Sequence, residues 1–224
     1  MAEVLEVRAE IERQISGRTV CEQLERAAAE HPDAPAYSDP EGDGWSTLTY
    51  AQARGRVLEI AAAFAALGLE PGESVAIMMV NRSEHVLADL GAVHAGGVGC
   101  TVYSTFAPDQ IAFVVADMGA KYAVLGGPAE LARWQPVLDG LGDLRKIIML
   151  DGAPDDERFM TWGTSSTWAG PGWRRTRDRW SPGGARSLPA TWSPSCTPPA
   201  PPACPRASRS PTRTSSTRSP PPTG

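Results

Sequence analysis

The feature that most constrains the fold is a regular rhythm between residues 74 and 150. Four short apolar runs, at 74–80, 98–103, 121–125 and 146–150, alternate with segments that have helical patterning. The runs do not alternate between polar and apolar residues, which indicates strands that are buried on both faces. The rhythm therefore predicts an α/β fold: a doubly wound, mostly parallel sheet with helices on both sides.

Local signals place helices and a further strand before this rhythm. Thr49 and Gln52 have the spacing of a capping box, which predicts a helix from about residue 50, and Gly68 is placed to end it. Thr19 begins a similar pattern and predicts an earlier helix. Residues 45–50 alternate in the manner of a strand.

The composition changes sharply after Trp162. Residues 163–224 contain nine Arg, no Lys, one acidic residue and 13 of the 21 prolines, with Leu188 as their single aliphatic residue larger than alanine. Subtracting these charges from the chain totals leaves residues 1–162 with 12 basic and 25 acidic side chains. A segment so poor in apolar side chains cannot offset the entropy lost on ordering. We therefore expect a folded body at 1–162 and a disordered tail at 163–224.

Cysteine usage and the N-terminus narrow the class of protein. Cys21, Cys100, Cys196 and Cys204 form no CxxC pair, which argues against a zinc site, and we expect the first two to be small buried side chains. The N-terminus is charged throughout and no apolar run is long enough for a membrane span, so we expect a cytoplasmic protein.

Motifs for nucleotide binding or nucleophilic catalysis do not occur in the 224 residues. There is no GxGxxG, no GxxxxGK[ST] and no GxSxG. We expect Gly96-Gly97 to cap a helix and lead into a strand, His94 to lie at the surface or complement a helix dipole, and His85 to face solvent. The sequence therefore nominates no catalytic residue, no cofactor-binding residue and no metal ligand.

A set of ordered blocks nevertheless resembles a known family. Residues 48–125 contain LTY followed by a helix, then GLEPGESVAI, then a helix into AGGVGCTVY, then a helix into GAK. In order and spacing these blocks resemble the N-terminal subdomain of AMP-forming acyl-CoA ligases, and TVYSTFAPDQI is most similar to bacterial long-chain fatty-acid ligases. The resemblance implies that fatty acid and ATP give acyl-adenylate and pyrophosphate, after which CoA displaces AMP. It implies a fatty acid as substrate, and it implies that the full-length enzyme uses ATP, Mg²⁺ and CoA.

The phosphate-binding loop that the resemblance implies is missing from the sequence. The loop has the form YTSGTTGxPKG and is expected soon after residue 162, where it does not occur. With permitted synonymous codons, residues 190–217 read in a shifted frame can spell DLVTLLYTSGTTGxPKGVTLTHQNVxYE. We therefore expect a truncated, inactive N-terminal fragment of a long-chain fatty-acid–CoA ligase that ends in a frameshifted tail. The alternative is a genuine Pro/Arg/Ser-rich disordered tail.

Two other functions stay open. The chain fits a fragment of another adenylate-forming enzyme of short-chain, aryl or peptide-synthetase type, because the acyl pocket is expected mostly downstream. It also fits a non-catalytic α/β binding domain with a basic tail. Nine Arg permit weak, salt-sensitive contact with phosphates, but the tail lacks Lys and we expect no nucleic acid partner. The sequence does not predict an oligomeric state.

Overall fold

The computed structural model describes residues 2–16 and 18–163. The predicted tail, apart from Gly163, lies outside the described residues, so its predicted disorder and the boundary after Trp162 stay predictions. The elements of the described part are, in chain order, α1 (Ala2–Ile15), α2 (Val20–Glu30), β1 (Pro35–Glu41), β2 (Gly44–Thr49), α3 (Tyr50–Leu67), β3 (Ser74–Met78), α4 (Ser83–His94), β4 (Val98–Thr101), α5 (Pro108–Asp117), β5 (Tyr122–Leu125), α6 (Pro128–Trp134), a 3₁₀ turn (Leu138–Gly140), β6 (Lys146–Met149) and β7 (Phe159–Thr161).

A five-stranded parallel sheet organises the body, with the strand order β4-β3-β5-β6-β7. The four strands predicted from the apolar runs are confirmed, and their parallel pairing is confirmed with them. Strand β7 extends the sheet and was not predicted. Strands β1 and β2 form a separate antiparallel hairpin, of which the alternating pattern had indicated only β2.

The sheet is covered on both sides, so the doubly wound fold is confirmed. Alternate side chains of the central strands point in opposite directions. On what we call the first face, Val75, Ile77 and Val124 pack with helices α2, α3 and α4. On the second face, Ala76 and Met78 pack with α5, α6 and the 3₁₀ turn. Both interiors are apolar, which explains why the strands read as continuous apolar runs.

Helix boundaries follow the predicted chemistry in detail. The Thr49 side chain accepts a hydrogen bond from the Gln52 amide, and the Gln52 side chain accepts one from the Thr49 amide, so the capping box of α3 is complete. Gly68 ends α3 at a φ of 86°, in the left-handed region that favours glycine. At the start of α2, Thr19 accepts from the Glu22 amide.

Within residues 2–16 and 18–163, none of the helices has both the length and the apolar character needed to span a bilayer.

Candidate functional site

The topology points to one edge of the sheet. From β3 the chain passes through α4 to β4 on one side, and from β4 it passes through α5 back to β5 on the other side. In doubly wound sheets, ligands bind beyond the carboxyl ends of the strands at such a reversal. The loops that follow the carboxyl ends of β3 and β5 at this edge are residues 79–82 and 126–127. Gly126 lies so close to β3 that a Cβ on it would be 2.9 Å from the Cβ of Met79.

Helix α4 begins at this edge, and the protein's own carboxylates surround its first turn. The Asp39 side chain, which comes from β1, accepts a hydrogen bond of 2.9 Å from the Ser83 amide. Arg82 donates to both oxygens of Glu84, at 2.8 and 3.0 Å. A helix N-terminus at this position would otherwise suit an anionic ligand. Here Asp39 already accepts from an amide of the first turn, and its charge would repel a phosphate.

The electrostatics of the Arg82–Glu84 pair stabilise this arrangement. Hydrogen bonding to Glu84 raises the pKa of Arg82, and the nearby carboxylates of Asp151 and Asp39 act in the same direction. Burial is the largest single influence on Glu84 and would raise its pKa, but the hydrogen bonding to Arg82, a backbone hydrogen bond and the charge of Arg82 together outweigh burial, and the pKa is lowered. Both groups are therefore charged at neutral pH and hold each other in place.

A groove of about 730 Å³ opens between the hairpin, α3, α4 and the ends of β3 and β7. Its apolar side is formed by Leu48, Ile60, Ala63, Leu87 and Trp162. Its polar rim carries four carboxylates and two arginines. They belong to Asp39, Glu41, Glu59, Glu84, Arg56 and Arg82. Both arginines are paired with a glutamate of the same groove, Arg56 with Glu59 and Arg82 with Glu84. The groove therefore offers apolar surface and a rim of net negative charge rather than an anion-binding site.

Both histidines of α4 are less exposed than the sequence-based expectation. The expectation that His94 lies at the surface is wrong: its side chain is buried, with 5% of the residue exposed, and it donates from Nδ1 to the Leu90 carbonyl at 2.7 Å. It is buried because α4 packs against α2 and α3, a contact that the local sequence does not encode. Burial lowers its pKa, so the ring is neutral. His85 is half-buried, with Nε2 3.2 Å from the Thr101 hydroxyl.

The glycine pair and the cysteines have structural positions. Gly96 adopts a φ of 87° after α4, and a Cβ on Gly97 would meet the Leu69 side chain at 2.8 Å, so the pair ends a helix and permits close packing as expected. Cys21 and Cys100 are half-buried rather than fully buried. Burial raises the pKa of Cys100, and the neighbouring Asp89 acts in the same direction, so its thiol is protonated at neutral pH.

The described residues contain no group of three or more His, Cys, Asp or Glu side chains arranged to hold a metal ion. Sequence reasoning missed the Asp39, Arg82 and Glu84 cluster. Arg82 and Glu84 are close in sequence, but Asp39 comes from a strand 44 residues earlier, so only the folded chain brings the three together.

Comparison with solved structures supports the fold. A putative long-chain-fatty-acid CoA ligase from Rhodopseudomonas palustris CGA009 superimposes with a TM-score of 0.59 at 25% sequence identity, over 66% of this chain and 36% of that chain.

Comparison with curated proteins gives relatives of very different lengths. Rv1549 of Mycobacterium tuberculosis, described as uncharacterized, is 33% identical over 136 residues, which cover 61% of this chain and 74% of Rv1549. The long-chain-fatty-acid–CoA ligase heimdall of Drosophila melanogaster is 28% identical over 139 residues, 60% of this chain. The phenyloxazoline synthase MbtB of M. tuberculosis is 34% identical over 121 residues, 51% of this chain. The chain spans only 20% of heimdall and 8% of MbtB.

The sequence model of the AMP-binding enzyme family matches residues 24–203 of this chain. This range includes the hairpin, all five strands of the parallel sheet and the groove, and it continues past the composition change at Trp162. Because this match covers more than half of the chain, and because the fold agrees with that of an acyl-CoA ligase, the chain belongs to the AMP-binding enzyme family.

Proposed function

We propose that this chain is the N-terminal part of a long-chain fatty-acid–CoA ligase, whose whole form converts fatty acid, ATP and CoA to acyl-CoA, AMP and pyrophosphate. The observation that carries the proposal is the position of the family's blocks in the fold. The blocks in residues 48–125 fall in sequence on α3, β3, α4, β4, α5 and β5, the consecutive units that build the parallel sheet. The similarity to the ligase heimdall supports the same substrate class.

We further propose that the 224-residue chain does not itself form acyl-adenylate. The reaction places negative charge on the transferred phosphate, which must be met by amide groups, a cation or Mg²⁺. Residues 198–202 read PPAPP where the family's loop is expected, and proline has no amide hydrogen to donate. No lysine follows Lys146. At the sheet edge, Arg82 is already bound by Glu84 and cannot replace the missing groups.

An assay of pyrophosphate release tests the inactivity. The purified 224-residue chain is incubated with ATP, Mg²⁺, palmitate and CoA, and pyrophosphate is measured against a blank without palmitate. We expect no palmitate-dependent release. Formation of acyl-adenylate by this chain would show that it carries a complete phosphate site and that the inactivity proposal is wrong.

The nucleotide sequence tests the origin of the tail. We propose that shifting the frame once, between codons 162 and 163, restores a readable YTSGTTG loop. A protein produced from the restored frame, continued through the downstream sequence, is expected to release pyrophosphate with palmitate. Codons that spell no such loop would make the tail genuine and would remove the frameshift from the proposal.

The similarity to MbtB favours a second candidate, a fragment of an adenylate-forming enzyme with another acid substrate. A panel of acids presented to the frame-restored protein separates the candidates. Preference for palmitate supports the long-chain ligase, whereas preference for acetate, an aryl acid or an amino acid supports the second candidate.

The non-catalytic binding domain with a basic tail has its own test. Electrophoretic retardation of DNA and RNA at two salt concentrations would detect the weak phosphate binding that nine arginines permit. We expect no retardation at either concentration.

We also propose a cytoplasmic location, because the ligase reaction consumes ATP and CoA, and cell fractionation would test it.

A further inference from the structure

Helix α1 carries an exposed apolar stripe. Val4, Val7, Ile11 and Ile15 recur at intervals of three and four residues and therefore lie on one side of the helix. These four residues are 69%, 55%, 50% and 55% exposed, and the neighbouring Leu5 is 63% exposed. Large apolar side chains at successive turns of one helix form a continuous patch rather than scattered exposure, and such patches mark interaction sites.

The interactions described for α1 are internal. Arg8 pairs with Glu12 at 2.7 Å, Arg13 pairs with Glu10, and Gln14 donates to Glu10 at 3.0 Å. Pairs of this kind add little to the stability of a helix. A helix of 14 residues is only marginally stable alone in water, so α1 requires a surface that covers its stripe.

Helix α1 precedes the region that this chain shares with its family, because the family match begins at residue 24. The family match therefore does not include α1. The charge of the helix also narrows the choice. Glu6, Glu10 and Glu12 outnumber Arg8 and Arg13, so an anionic membrane surface would repel α1.

One flank of the stripe on α1 is complementary to itself. Arg8 and Glu12 lie one turn apart on the same flank of the stripe, as their ion pair shows. When two copies are placed antiparallel about a two-fold axis beside residue 10, Arg8 of each copy lies opposite Glu12 of the other. Leu5 then lies opposite Ile15 in the same way. A two-fold arrangement repeats each favourable contact.

We propose that this chain dimerises through an antiparallel pairing of α1 with α1 of a second copy. The pairing buries the stripe against itself and exchanges the one Arg8–Glu12 ion pair within each helix for two such pairs between the helices. A pair of 14-residue helices buries less area than a standard stable interface. The dimer is therefore weak, with a dissociation constant on the order of 10 µM.

Sedimentation velocity of the 224-residue chain, from about 1 to about 200 µM, brackets that dissociation constant. The principal variant is Ile11→Glu, which places a charge in the stripe, and its matched control is Ala9→Glu, which adds the same charge on the opposite side of the helix. We expect Ile11→Glu to weaken dimerisation at least about 30-fold and Ala9→Glu to change it less than about threefold.

Charge reversal tests the antiparallel direction. Arg8→Glu and Glu12→Arg each place like charges opposite one another in the dimer, and we expect each to weaken it about fivefold to tenfold. The double variant Arg8→Glu/Glu12→Arg restores opposite charges, and we expect it to dimerise within about threefold of the unmodified chain.

Three results would overturn the proposal: a monomer at all concentrations, equal weakening by Ile11→Glu and Ala9→Glu, or a double variant as weak as the single variants. Co-sedimentation of the chain with vesicles containing anionic lipid, lost in Ile11→Glu, would assign the stripe to a membrane instead. None of these outcomes depends on whether the proposed ligase function is correct.

Discussion

The two faces of the parallel sheet reach complete burial in different ways. On the first face, α3 presents consecutive alanines and α4 presents Gly91, so the two helices approach closely: a Cβ on Gly91 would lie 2.4 Å from the Ile60 side chain. On the second face, the short α6 contributes one large side chain, Trp134, which is fully buried and donates its indole N–H to the Met78 sulfur at 3.2 Å.

The difference shows that a doubly wound sheet does not require equivalent helix layers. The first face is closed by contact between small residues, so it should be sensitive to added volume. The second face contains Trp134, the largest fully buried side chain of the described residues, so it should be sensitive to lost volume at that position. Substitutions on each face can therefore confirm or break this comparison.

The largest effect is expected from Trp134→Ala. Removal of a fully buried indole leaves a cavity and should lower the free energy of unfolding by about 3–5 kcal/mol, a large part of the total for a domain. Denaturant unfolding followed by circular dichroism measures the change. The control is Trp45→Ala on the hairpin, where the residue is 70% exposed and a change within about 0.5 kcal/mol is expected. Equal losses in the two variants would show that the burial of Trp134 does not stabilise the second face.

Substitution of glycine by alanine should have opposite signs at two positions near the first face. Gly91→Ala forces α3 and α4 apart and should cost about 1–2 kcal/mol, even after the gain in helix propensity. Gly55 lies in α3 with open space around it, and Gly55→Ala should stabilise the protein by about 0.5–1 kcal/mol. The same unfolding measurement applies. A stabilising Gly91→Ala would show that the two helices have room to spare.

Helix caps extend the comparison to the ends of the two layers. Thr49→Ala removes one half of the capping box of α3 and should cost about 1 kcal/mol. On the second face, α5 begins after Ala107, which has an extended backbone but no side chain to accept a hydrogen bond. Ala107→Ser should therefore stabilise by about 0.5–1 kcal/mol. Thermal unfolding would detect both shifts, and a neutral Ala107→Ser would indicate that Pro108 and Gln110 already satisfy this end of the helix.

The smallest effect is a pH dependence that arises on the first face. Burial lowers the pKa of His94, and the approach of Arg54 acts in the same direction, whereas the Leu90 carbonyl and Glu25 oppose the shift. The unfolded chain thus binds a proton more readily than the folded chain. The free energy of unfolding should begin to decrease as the pH falls below 6.5, the ordinary pKa of histidine, which applies to the unfolded chain. It should continue to decrease until the pH passes the lower pKa that His94 has in the folded chain.

Measurement of the unfolding free energy from pH 8 downward would reveal this loss. His94→Gln should flatten the slope near and below the ordinary histidine pKa of about 6.5, while the exposed His31→Gln should leave it unchanged. A slope that survives in His94→Gln would assign the pH dependence to other groups.

Much of the fold could be predicted because its signals are local. The apolar runs identified four strands and their parallel pairing, and Thr49, Gln52 and Gly68 marked the bounds of α3. Strand β1 was missed because it contains prolines and charges at the edge of a hairpin, where burial imposes no pattern. Strand β7 was missed because it has only three residues. Helix α1 was missed because charged residues are spread along its sequence and obscure the helical spacing of its apolar residues.

The candidate site could not be predicted because it depends on contacts between distant segments. The apolar runs indicated a parallel sheet, whose ligands bind in general beyond the carboxyl ends of the strands, but the position of Asp39 at the start of α4 follows from the docking of the hairpin. The burial of His94 likewise follows from the packing of α4 with α2 and α3. Sequence patterns identify which face of an element is buried, but not which side chain of another element it meets.

The hydrogen bond from the Ser83 amide to Asp39 gives this protein a built-in reporter of local opening. The bond joins the first residue of α4 to the hairpin, and the amide lies in the first turn, where no carbonyl of the helix can accept from it. Its hydrogen can exchange with solvent only when the carboxylate moves away. The exchange rate of this single amide therefore measures how often the Asp39 side chain releases the start of α4, independently of global unfolding.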